Sequence, residues 1–193
     1  MLWSTRATQF CWIPITPTRF PAFACLPSAP KRCCAATSTA EIIKILPGPE
    51  NPFTIRTVEV FHDHHSGEHR GANTVHILEA DGIRVAHLGD LGHLLTPEQA
   101  QKLQWLDAVM IPVGGHYTID AAEAKQVVNA IHPRVVIPMH YQGHGYDYPV
   151  IAPVENFLDL CENVHEYVNN TIEITPDTKA QTAVLALPSI VRK

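Results

Sequence analysis

The sequence lacks the features of three protein classes. No apolar run approaches the ~20 residues that cross a bilayer, so we expect no membrane span. The net charge is −5 and no stripe of Lys and Arg is present, which argues against nucleic acid as a partner. The four cysteines within residues 1–40 show neither C-x-x-C pairs nor zinc-finger spacing to His, which disfavours a disulfide or zinc framework. With these three classes disfavoured, we expect a soluble globular protein.

The first 40 residues lack acidic side chains. They carry a charge of +4, against −9 for the remainder, and five prolines prevent a long helix. We interpret residues 1–40 as a poorly ordered leader or a non-native segment, for example sequence read from a wrong start or frame. An organellar transit peptide is an alternative, although the prolines interrupt its usual amphipathic helix, and a secretory signal fits less well because no apolar core is present. We therefore expect a cytoplasmic protein, with organellar import if the leader is a transit peptide.

From residue 41 onward, apolar periodicity alternates between that of strands and that of helices. Capping boxes at Thr96 and Asp120 and a proline at Pro153 mark three helix starts. The first helix is predicted to end near Leu106 and the second before Pro133. Strands are predicted at 54–61, 74–79, 83–88, 108–113, 135–138, 171–175 and 183–187. The order β-β-β-α-β-α-β-α-β-β predicts one layered α/β domain over residues 41–193.

Histidine is unusually frequent, with twelve residues against fourteen Lys and Arg together. Imidazole is the commonest metal ligand in proteins and titrates near neutrality. A metal or acid–base site is therefore expected.

Three polar clusters follow apolar strands between residues 82 and 141, and they contain Asp90, His116 and His140. Residues that end buried strands at one edge of an α/β sheet converge in space. Taken alone, Asp90 is explained by a turn and His140 by a hydrogen-bonded structural role. Together, and separated by a strand that ends in Gly114-Gly115, they favour a metal site, because core packing requires none of these residues.

A histidine-rich cluster follows the predicted strand 54–61. His62 lies nearest the strand end and is the strongest ligand candidate, while His64 points the same way if the strand persists. A solvated polar loop is the alternative for His64 and His65. The second-rank candidates His93, His116 and His144 fit surface or supporting positions better than direct ligation.

The motifs and their order resemble those of the metallo-β-lactamase-fold hydrolases. They are the run from His62 to Gly67 with Asn73, HLGDLG at 87–92, IPVGGHYTID at 111–120 and IPMHY at 137–141. The similarity covers roughly residues 41–190 and is greatest to the L-ascorbate-6-phosphate lactonase-like branch. It implies an αββα sandwich, of which this chain carries mainly the second half.

The resemblance also implies a catalytic metal site. His62 becomes the third-motif histidine ligand, Asp90 the carboxylate that bridges two metals, and His140 the last histidine ligand. These ligands suit a divalent metal, zinc first, with manganese or iron as alternatives. A metal-bound hydroxide would attack an ester, lactone or phosphoester of a small-molecule substrate.

The chain departs from the family pattern because it contains no H-x-H-x-D-H, the signature of the first half. The string at 62–67 has Ser66-Gly67 where the signature has its Asp-His pair. We therefore expect either a hydrolase whose other half is supplied separately, or a non-catalytic truncated remnant or interaction domain that binds metal weakly or not at all. A half-sandwich also predicts an exposed apolar sheet face, and with it a homo-oligomer or a complementary chain.

Overall fold

The computed structural model describes residues 54–142 and 149–186 in full and the backbone of residues 8–11. The strands are β1 (Thr8–Cys11), β2 (Thr54–Phe61), β3 (Ala72–Ala80), β4 (Ile83–His87), β5 (Ala108–Pro112), β6 (Val135–Met139), β7 (Val164–Glu166), β8 (Thr171–Ile174) and β9 (Gln181–Val184). The helices are α1 (Pro97–Lys102), α2 (Ala121–Ile131) and α3 (Glu155–Leu158). The predicted α/β class is confirmed.

Within the described residues, seven strands form one mixed sheet in the order β2-β3-β4-β5-β6-β9-β7. The strands β2, β3 and β4 pair antiparallel, whereas β4 to β6, β9 and β7 pair parallel. Because β3 runs opposite to both of its neighbours, β2 points the same way as β4. The carboxyl ends of β2, β4, β5 and β6 therefore lie at one edge of the sheet.

The three helices cover one face of this sheet. Side chains from α1, α2 and α3, including Ala100, Val127 and Phe157, share one core with the strands. Thr96 and Asp120 form the predicted capping boxes, each with a reciprocal bond from the third helical residue. The predicted end of the first helix near Leu106 is wrong, because α1 ends at Lys102. The third helix, with its start predicted at Pro153, begins at Glu155 and is a single turn. After α1 the helix stops although the side chains of Leu103 and Leu106 stay in the core.

The opposite face of the sheet is also buried. A second core contains Val85, Met110 and Ile137 from the sheet, together with Ile172 and Ile174 from β8. The strand β8 lies in a separate two-stranded sheet with β1, so it adds a second β-layer rather than a strand to the main sheet. The expected exposed apolar face is therefore wrong for the described residues. The large sheet therefore lies between the layer of helices on one face and the small sheet on the other.

The short strand β7 is absent from the sequence prediction. All three of its residues are exposed, so no alternation of apolar and polar side chains marks it. It forms by pairing with β9, a contact between distant parts of the chain. Among the described residues, none of the helices has the length and apolar character required to cross a membrane.

Candidate metal centre

The three expected ligands reach the same edge of the sheet on three different connections. His62 directly follows β2, Asp90 follows β4 by three residues, and His140 directly follows β6. The connection after β4 is bonded to the end of β2, since the Gly92 amide donates to the Phe61 carbonyl over 3.0 Å. The fold therefore brings residues together that lie up to 78 positions apart in the sequence.

His62 and Asp90 are neighbours at this edge. The Nε2 atom of His62 lies 3.9 Å from Oδ2 of Asp90, too far for a hydrogen bond. Asp90 is buried and His62 half-buried. His140 is close enough that a positive charge on it would disfavour protonation of His62. His140 thus lies within electrostatic range of His62, and the three candidates form a loose cluster at this edge.

Two ring nitrogens in this cluster are buried without a hydrogen-bond partner. They are Nε2 of His62 and Nδ1 of His140. Buried polar atoms are nearly always satisfied, because leaving one unpaired costs about 1–3 kcal/mol. Two such atoms in one cluster fit donor atoms that coordinate a cation.

Both histidines are held in the neutral form. Burial lowers the pKa of His62, and the positive charges of Arg70 and His140 act in the same direction, against a smaller opposing effect of Asp63. Burial also lowers the pKa of His140, against a smaller opposing effect of its own backbone. Neutral imidazole is the form that ligates metals, so the environment prepares both rings for coordination.

Asn73 holds the loop that carries Asp90, a role that the sequence did not predict. Its Nδ2 donates to the Leu88 carbonyl over 2.8 Å and its Oδ1 accepts from the Asp90 amide over 3.2 Å. A Cβ added at Gly89 would collide with the same amide oxygen. No strand pattern marked it, because the predicted strand begins at Thr74 and only the structure includes Asn73 in β3.

Glycines allow the ligand-bearing backbones to pack closely. A Cβ at Gly92 would collide with the backbone of His62, and a Cβ at Gly114 would collide with the His140 carbonyl oxygen. The intervening strand β5 therefore contributes close approach rather than a ligand. His140 itself has φ 53°, a left-handed conformation that turns the chain sharply after β6.

Asp63 organises the loop that follows His62, and this role was also missed. Its carboxylate accepts four backbone N–H bonds of 2.7–3.1 Å, from residues 65, 67, 69 and 70. Burial opposes ionisation, but the four donors together outweigh it and hold the pKa of Asp63 well below its ordinary value. The signal was an Asp at a strand end before a glycine-bearing turn.

The two remaining candidates of the 62–70 loop lie on its exposed side. His64 places Nε2 3.5 Å from Oε1 of Glu123, near the start of α2. His65 packs edge-on against the ring of His69, with ring centroids 4.5 Å apart. Neither residue joins the cluster of unpartnered nitrogens. His144 lies outside the described residues.

His93 and His116 occupy supporting positions. His93 accepts from the Phe61 amide through Nε2 over 3.0 Å, and its Nδ1 lies 2.7 Å from the Leu94 carbonyl. Both of its nitrogens therefore serve backbone groups. His116 is exposed, and its ring packs edge-on against Tyr117.

The cluster is an incomplete ligand set in this conformation. Within residues 54–142 and 149–186, no group of three or more His, Cys, Asp or Glu side chains is positioned to hold a metal ion. The donor chemistry nevertheless fits a divalent cation, with two neutral imidazoles and one carboxylate. The residues present would supply part of a coordination shell.

Comparison with known families agrees with this edge geometry. A sequence model of the beta-lactamase superfamily domain matches residues 36–140, more than half of the chain. The chain belongs to the metallo-β-lactamase superfamily. A solved structure from Thermotoga maritima, provisionally described as a Zn-dependent hydrolase of this superfamily, is 38% identical with a TM-score of 0.59. The match covers 70% of this chain and 66% of that one.

Curated relatives carry the name metal-dependent hydrolase. One from Thermococcus onnurineus is 30% identical over 63% of this chain and 54% of its own length. Another, from Thermoplasma acidophilum, is 32% identical over 66% of this chain and 57% of its own length. The chain thus spans little more than half the length of these relatives.

Proposed function

We propose that this chain supplies His62, Asp90 and His140 as ligands of a divalent metal in a metal-dependent hydrolase. The observation that supports the proposal most directly is the pair of buried, unpartnered nitrogens on His62 and His140. The names of the relatives support a metal, and the imidazole and carboxylate donors accept zinc, manganese or iron.

A divalent metal bound here would act as a Lewis acid and lower the pKa of a bound water. Asp90 contributes a negative charge that offsets the charge of the cation. The low pKa values of His62 and His140 keep both rings unprotonated, and Asn73 fixes the loop that carries Asp90. We propose an ester, lactone or phosphoester of a small molecule as the substrate, which water would cleave into an acid and an alcohol.

A second candidate function is a non-catalytic domain that binds metal weakly. It is favoured by the finding that, in the part of the chain described, three ligating side chains do not assemble into a preformed metal group. Catalytic zinc sites ordinarily take three protein ligands, and each metal of a pair needs its own set. The two candidates differ in the stoichiometry and affinity of metal binding.

Metal content tests the proposal directly. The purified chain would be stripped with EDTA, incubated separately with Zn²⁺, Mn²⁺ or Fe²⁺, desalted and analysed by mass spectrometry. We expect bound metal in the wild type and at least about a tenfold loss of affinity in His62→Ala, Asp90→Ala and His140→Ala, because each removes a ligand. His165→Ala on the exposed strand β7 is the matched control.

Hydrolysis assays then separate the two functions. Nitrophenyl esters, a simple lactone and a nitrophenyl phosphodiester cover the proposed bond classes. Turnover that requires added metal and disappears in Asp90→Ala would support the hydrolase. Substoichiometric metal, unchanged in the three variants and without turnover, would instead identify the non-catalytic domain.

A further inference from the structure

A polar depression of about 420 Å³ lies on the loop that follows the candidate ligand His62. It is lined by Asp63, His64, His65, His69 and Arg70. The carboxylate of Asp63 accepts four backbone N–H bonds of its own loop, so its charge is satisfied internally. The side chains left to face a ligand are imidazoles and a guanidinium.

Arg70 is fixed in place although it lies on an exposed loop. Its NH2 group donates to the His116 carbonyl over 3.1 Å, and its guanidinium lies over the ring of Tyr117, 5.4 Å from the centroid. The backbone amide of Arg70 is held by Asp63 over 2.7 Å. The side chain is therefore anchored from two sides, and little entropy would be lost on binding a ligand.

The positive charge of Arg70 has no ion-pair partner among the residues that the structure describes. The ion pairs there involve Arg56, His62, His64 and Arg134. The contacts of Arg70 are a carbonyl oxygen and an aromatic face, both of which leave most of its N–H donors available. Asp63, which binds the Arg70 amide, directly follows His62, so Arg70 is held on the loop that begins at a proposed metal ligand.

We propose that Arg70 anchors an oxyanion of the substrate, a phosphate or a carboxylate, next to the metal centre. The planar guanidinium binds either group through two parallel hydrogen bonds. His65 and His69 line the same depression and supply further N–H donors. This assignment rests on the proposed function, since it names the class of substrate that the hydrolase would accept.

A purely structural brace is the competing explanation for Arg70. The bond to His116 ties the 62–70 loop to the connection after β5, and His64 approaches Glu123 of the same region. If Arg70 only stabilises the loop, its substitution should lower the stability of the protein, and the unmodified chain should show no affinity for anions. Anion binding by the unmodified chain therefore distinguishes the two roles.

The test is an NMR titration of the isotope-labelled, EDTA-treated chain with inorganic phosphate and, separately, with acetate, at constant ionic strength. We expect saturable shifts of the Arg70, His116 and Tyr117 amide signals. In Arg70→Gln the affinity should fall about tenfold, the effect of losing one charge-assisted hydrogen-bonding group. Arg56→Gln removes the same charge from an exposed site on β2 and should leave the affinity unchanged.

Arg70→Lys keeps the charge without the planar fork and should bind with intermediate affinity, which covers the case that Arg70→Gln does not fold. The preferred anion, phosphate or acetate, identifies the oxyanion. Absence of saturable shifts with both anions, or equal affinities in Arg70→Gln and Arg56→Gln, would overturn the assignment. Because the titration contains no metal, Arg70-dependent binding in a chain that fails to bind metal would reject the proposed function alone.

Discussion

The two edges of the large sheet differ in how completely their polar side chains are paired. At the amino edge, Asp107 precedes β5 and Arg134 precedes β6, and the two form an ion pair. Asp107 also accepts from the Arg84 amide over 2.7 Å, and Arg134 donates to the Pro176 carbonyl. At the carboxyl edge, His62 and His140 each keep a buried nitrogen without a partner.

This contrast distinguishes polar side chains that stabilise the fold from polar side chains that are available to bind a ligand. Saturated polar groups at the amino edge join the starts of adjacent strands and have little capacity left for a ligand. Unsaturated groups at the carboxyl edge cost stability, and a protein retains such groups where they bind or react. In α/β proteins, ligands bind at the carboxyl ends of the sheet strands. The unpaired nitrogens of His62 and His140, which lower the stability of the fold, lie at that same edge.

The largest expected effect is a loss of stability in acid that originates at the carboxyl edge. His87 ends β4, and complete burial, with a smaller contribution from the facing His76, lowers its pKa from 6.5 to about 4. The unfolded chain therefore binds a proton at higher pH than the folded chain does. Stability is full above pH 6.5 and falls as the pH approaches 4, by at most about 3 kcal/mol for this group.

Urea denaturation from pH 7.5 to 4.5 measures this effect. His87→Gln keeps an acceptor for the Gly89 amide, which bonds to Nδ1 over 3.0 Å, and removes the titration. The pH dependence should become clearly shallower in His87→Gln and stay unchanged in the exposed control His165→Gln. Equal slopes in all three chains would show that His87 does not carry the acid sensitivity.

The second effect concerns the amino edge. Asp107→Ala removes the partner of Arg134 and the acceptor of the Arg84 amide, both partly buried. We expect a loss of about 2 kcal/mol in the free energy of unfolding, because breaking a paired charge leaves its partner desolvated. Metal content should stay unchanged. Thermal and urea denaturation check the first result, with the exposed Asp159→Ala as control, and altered metal binding would contradict the separation of the edges.

Local sequence signals predicted much of the fold. The capping boxes at Thr96 and Asp120 and most strand limits depend on neighbouring residues, so a sequence window contains them. The placement of β8 outside the large sheet and the presence of β7 depend on pairing between distant segments. No local pattern predicts these contacts, because exposed or very short strands show no alternation of apolar and polar residues.

The site divides in the same way. His62, Asp90 and His140 were predicted as ligands because each follows an apolar strand, and the structure places the ends of these three strands at one edge of the sheet. Asn73, Asp63 and Arg70 act through hydrogen bonds that become visible only when the loops are folded. Ligand candidates can thus be inferred from residue type and strand order, while the residues that position them require the structure.

The smallest expected effect has the opposite sign to that of Asp107→Ala. His62→Phe replaces a ring with an unpartnered buried nitrogen by an apolar ring, and the metal-free chain should become more stable by about 1 kcal/mol. In the wild type we expect added Zn²⁺ to raise the Tm, and the same substitution should abolish this metal-dependent stabilisation. Differential scanning calorimetry with EDTA and with Zn²⁺ measures both. A metal-free His62→Phe chain less stable than the wild type would mean that His62 stabilises the fold, and the distinction between the two edges would fail.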